Sequence, residues 1–73
     1  MDLARLHTMA NQIARNLATM DHADAVAATA DHIAMFWDPR MKAAITAGDP
    51  SGLCPIAAEA VRKLATGALP EAH

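Results

Sequence analysis

The sequence predicts an all-α fold: a compact bundle of four short helices in a single domain over residues 1–73. Three observations lead there. Apolar residues recur at alternating spacings of three and four, the signature of helices that each bury one stripe. Pro39, Gly48, Pro55 and Gly67 interrupt those stripes at helix-length intervals. Nineteen residues are Ala, the strongest helix former, and no segment carries a strand pattern.

The first helix is expected over about residues 2–19, capped by Asp2. Its stripe is Leu3, Leu6, Ala10, Ile13, Leu17 and Met20, with Arg5, Thr8, Asn11, Gln12, Arg15 and Asn16 opposite. Asp21-His22-Ala23-Asp24 resembles a capping box with a shorter acid in the Glu position, and opens a second helix over about 22–37. Val26, Ala30, Ile33 and Trp37 line its inner face, with Thr29 and Phe36 alongside. Asp24, Ala28, Asp31, His32 and Met35 face outward, so Met35 is an apolar residue out of phase.

Asp38-Pro39 marks the next boundary: proline disfavours helix in the residue before it and suits the first position of a new one. The third helix covers 39–47, with Met41, Ala44 and Ile45 inward, and Gly48 is read as a left-handed stop with Pro50 just beyond. Asp49-Pro50-Ser51-Gly52 forms a loop. Pro55 opens the fourth helix, 55–66, whose stripe is Ile56, Ala57, Ala60, Val61 and Leu64. Gly67 and Pro70 end it, leaving a frayed tail over 68–73.

The apolar class fills 53% of the chain, but half of it is Ala, which buries little area. A core this small supplies only about 3–5 kcal/mol, and small domains usually add a staple. Cys54 is the single cysteine, so no internal disulfide is possible, and a partner surface becomes the natural candidate. A net charge of −2 with scattered charges provides no footprint for nucleic acid. No apolar run spans a bilayer, and no signal peptide is read at the amino terminus, which points to the cytoplasm.

The search for catalytic chemistry finds little. His7, His22, His32 and His73 lack the spacing that places two metal ligands on one helix face. Cys54 precedes a helix but has no His or acid beside it in sequence, and reads as a small buried hydrophobe. Asp21 and Asp24 fit capping better than acid–base work, and the three glycines are too isolated to cradle a phosphate. A helix-turn-helix reading of helices two and three fails because the second carries only Arg40 and Lys42. The chain is therefore expected not to be an enzyme, and to hold no cofactor or metal itself.

The segment from His32 to Met41 stands out instead. It gathers both aromatics, two Met residues, a helix break and an Arg, types that interfaces enrich. Trp37 and Met41 read as core. His32 is positioned to pack over Phe36 four residues on. Met35 and Arg40 turn outward, and with His32 and the first-helix strip of Asn11, Gln12 and Arg15 they form the expected partner interface.

Met9-Ala10-Asn11-Gln12-Ile13-Ala14, the stretch from His32 to Met41 and Leu53-Cys54-Pro55 with the Ala-rich helix after it resemble the δ subunit of cytoplasmic NAD-dependent formate dehydrogenases of the molybdenum class. The likeness runs from about Leu3 to Leu64. It implies a non-catalytic accessory subunit of a complex that oxidises formate to carbon dioxide and reduces NAD. The implied partners are a large α subunit bearing molybdopterin guanine dinucleotide and iron–sulfur clusters, and electron-transfer subunits working through FMN. The implied role is assembly or stability of the α subunit, or retention of its cofactor. The competing reading is a free-standing helical adaptor or homodimer.

Overall fold

Asp2 begins the chain of events that builds the bundle. In the computed structural model, which describes residues 2–66, its carboxylate accepts the Ala4 N–H at 3.1 Å and starts α1, Leu3–Asn16. Asp38 does the same for α3, Pro39–Ala47, accepting the Met41 N–H at 2.8 Å with Pro39 in the first turn. Asp49 accepts the Ser51 N–H at 3.0 Å and sets a single 3-10 turn, Pro50–Gly52. α2 spans His22–Phe36 and α4 spans Pro55–Thr66. No strand occurs among the described residues, and the fold is all-α with four helices as the sequence predicts. The stop at Gly67 and Pro70 and the tail over 68–73 lie outside the described residues.

Three local expectations are corrected. α1 ends at Asn16 rather than near 19, because the chain tightens into turns: Ala18 N–H bonds to the Arg15 carbonyl and Met20 N–H to that of Leu17. Met20 leaves the stripe and is exposed. Asp21 precedes α2 but its carboxylate makes no cap bond, so no capping box forms; its carbonyl opens the ladder to Ala25 N–H at 2.8 Å. Gly48 is extended, at φ −82° and ψ 173°, and not left-handed. A Cβ there would sit 3.1 Å from the Ala44 carbonyl oxygen and 2.7 Å from both Leu3 Cδ atoms, the far end of a side chain that can turn aside.

α2 and α4 form the most extensive helix pair, and α1 lies across both while α3 closes against α1 and α4. Leu6, Ile33, Trp37, Ile45 and Val61 make the main core with Ala10, Ala14 and Ala57. Val26, Ala30 and Ala60 form a second cluster between α2 and α4, with Ile56 beside it. Among the described residues, six of the twelve buried apolar ones are Ala. The core is short of large side chains, and this makes any large apolar residue left outside it informative.

Candidate functional site

Among the described residues three large apolar side chains stand outside: Met20, at 42% exposure, and two far more exposed ones adjacent in sequence at the end of α2. Met35 is 75% exposed and Phe36 70% exposed. Met35 falls outward by helix phase, as the periodicity predicts. Phe36, expected beside the inner stripe, is corrected to an outer residue. Trp37 keeps the helical register, its N–H bonding the Ile33 carbonyl at 3.0 Å, and takes the inward place at 6% exposure, while Phe36 lies to the side of the stripe at the rim. Phe36 then meets His32, with ring centroids 4.7 Å apart and planes inclined at 41°, the i,i+4 contact expected from the sequence.

The junction that presents this ridge is tightly specified. Trp37 anchors it from below, and Asp38 and Pro39 start α3 at once. Lys42 reaches back from α3 and donates from Nζ to the Ala34 carbonyl at 3.1 Å. That oxygen is among the orphan acceptors at the α2 C-terminus, where a cation is favoured. Arg40 is exposed on the first turn of α3, four residues beyond Phe36.

The α1 strip divides. Asn11 is half-buried and committed inside the chain: Nδ2 donates to the Gly52 carbonyl at 3.0 Å, and Oδ1 accepts the Cys54 N–H at 2.8 Å. It pins the loop between α3 and α4 onto α1. Gln12 and Arg15 are exposed. With Thr8 and Asn11 they line a cleft of about 320 Å³. Asn11 and Arg15 also wall a second cleft of about 410 Å³ floored by Ala14, Ala18, Cys54, Pro55 and Ile56, with His22 at its side. Neither cleft includes His32, Met35 or Arg40, so the six expected interface residues fall into two groups.

The sequence reading missed the pair between His22 and Glu59, which join α2 to α4 at 2.8 Å. The hydrogen bond from His22 holds the Glu59 carboxyl below its ordinary range, and the nearby Arg62 and Lys63 charges act in the same direction. Asp49 is likewise lowered, chiefly by its hydrogen bonds from Ser51. No local signal marks His22 for Glu59, which lies 37 positions away. Among the described residues, no three His, Cys, Asp or Glu side chains converge as a metal site would need.

Residues 5–61 match the family described as NADH-dependant formate dehydrogenase delta subunit FdsD, well over half of the chain. The chain belongs to this family. No curated protein and no solved structure matches it. The span matched to the FdsD family contains the whole His32–Arg40 ridge, the Asn11 clamp with both its partners, and Arg15. The resemblance read from the sequence and the family match therefore agree.

Proposed function

We propose that this chain is a non-catalytic accessory subunit that docks on the large subunit of a NAD-dependent formate dehydrogenase in the cytoplasm and supports its assembly, stability or cofactor retention. The carrying observation is the exposed Met35–Phe36 pair, in a protein of the FdsD family whose own core is short of large side chains. Covering the two side chains is worth about 1.5–3 kcal/mol each before the entropy of association. The Trp37–Asp38–Pro39 junction and the Lys42 contact hold the ridge in place, which lowers the cost of ordering it on docking. His32 and Arg40 flank the apolar pair and supply the polar rim that such interfaces carry.

In this reading molybdopterin guanine dinucleotide, the iron–sulfur clusters and FMN all sit on the partner subunits. This chain contributes surface rather than chemistry. Among its described residues no helix is long and apolar enough to cross a membrane.

A pulldown of the tagged chain from its native cytoplasm tests the reading. Recovery of the large formate dehydrogenase subunit supports it, and recovery of no dehydrogenase subunit refutes it. The ridge is tested separately: Met35→Asp and Arg40→Glu should each reduce that recovery, and if both leave it unchanged the docking face is wrong.

A further inference from the structure

The two clefts on α1 share a wall, and their chemistry differs. One is lined by four polar residues, Thr8, Asn11, Gln12 and Arg15. The other has an apolar floor that includes Ala18, Pro55 and Ile56. Arg15 stands between them and belongs to both. Its guanidinium makes no hydrogen bond or ion pair with another described residue, whereas His22 on the far side is already paired with Glu59. No Asp or Glu lines either cleft, and Arg15 is their one full positive charge, Arg5 lying outside both.

Asn11 makes this wall rigid. Both ends of its side-chain amide are used by Gly52 and Cys54, so it fixes the α3–α4 loop against α1 and leaves Arg15 and Gln12 as the available donors. A preformed site needs only those two side chains to be ordered on binding. A guanidinium binds a carboxylate through two parallel hydrogen bonds, and the pair gains from being partly removed from water.

We infer that the joined clefts receive an acidic–aliphatic segment of a partner protein, with a carboxylate on Arg15 and Gln12 and the adjacent aliphatic side chain against Ala18, Pro55 and Ile56. The inference rests on the subunit reading and adds a second contact, apart from the Met35–Phe36 ridge. Charge complementarity selects the occupant: an apolar segment alone leaves the unpaired Arg15 buried, and a basic one is repelled.

The test uses the full chain carrying a benzophenone photo-crosslinking amino acid at Ala18, at Gln12 or at Met35, co-expressed with the other formate dehydrogenase subunits. Adducts at Ala18 and Gln12 are expected on one partner segment holding Asp or Glu beside Leu, Ile, Val or Met. Arg15→Gln, on an exposed residue, should lower their yield by at least about fivefold, the loss of a charge-assisted pair, and leave the Met35 adduct intact. If Met35 gives adducts and neither Ala18 nor Gln12 does, the inference fails while the subunit reading stands. If no position gives adducts, the subunit reading itself fails. Adducts to a second copy of this chain, to a segment without an acid, or unaffected by Arg15→Gln also overturn the inference.

Discussion

Replacing Asn11 by Ala should destabilise the protein by about 2 kcal/mol. The side chain holds two backbone groups more than forty positions away in sequence, the Gly52 carbonyl at 3.0 Å and the Cys54 N–H at 2.8 Å. A hydrogen bond contributes about 0.5–1.5 kcal/mol net, and a buried group left unpaired costs about 1–3. Gly52 is exposed and water replaces its partner, which places that bond at the low end. Cys54 is half-buried and its N–H loses more. A domain of this size has about 4–11 kcal/mol in total, so the variant still folds. Its midpoint should fall by about 8–16 °C. Thermal unfolding followed by the fluorescence of Trp37, the single tryptophan and a buried one, reads this directly. Hydrogen exchange at the Cys54 amide should quicken at the same time. Gln12→Ala next door is the control, with less than about 0.5 kcal/mol expected. A loss for Asn11→Ala below about 0.5 kcal/mol, or one equal to the control's, would show that the clamp does not hold the loop.

Thr29 is fully buried with its hydroxyl unpartnered, so Thr29→Val should raise stability by about 1 kcal/mol in urea denaturation; a decrease contradicts the packing described. Asp38→Ala removes a cap bond of 2.8 Å and should cost about 1 kcal/mol, whereas Asp21→Ala, with no such bond, should cost less than half of that. The same urea series on both variants decides the point. Glu59 is held below its ordinary value of 4.5 in the folded state by His22, so its contribution is present above that value and is lost as pH falls through the lowered one. Wild type and Glu59→Gln should therefore differ near neutrality and converge in acid, and parallel stability curves from about pH 5 to pH 3 would refute the pairing.

The sequence made the fold legible wherever a residue acts on its own neighbours. Asp2, Asp38 with Pro39, and Pro55 each stand at a helix start, and the inner stripe of α2 is buried at Val26, Thr29, Ala30 and Ile33. What stayed hidden depends on distance or on space. The periodicity of Leu17 and Met20 gives a face but not the point where the chain leaves it, and no Gly or Pro stands there to mark the stop. Gly48 reads as a left-handed stop from sequence, while the chain leaves it extended, which nothing local marks. Asn11 reads as solvated by helix phase, because nothing local reveals that Gly52 and Cys54 come to meet it. For the candidate site, Met35 was legible from phase and the His32–Phe36 contact from spacing. The exposure of Phe36 was not, since a position at the edge of the stripe is covered only where a neighbouring helix reaches it.

The apolar ridge at the end of α2 is the proposed docking face for the large formate dehydrogenase subunit. The most direct measurement is the Kd of the purified chain for that subunit, wild type against the double variant Met35→Ser/Phe36→Ser. Both side chains are exposed, so thermal stability should be little changed. Loss of their burial, about 3–6 kcal/mol, predicts a Kd weakened by about a hundredfold or more. An unchanged Kd in a folded double variant would contradict the claim.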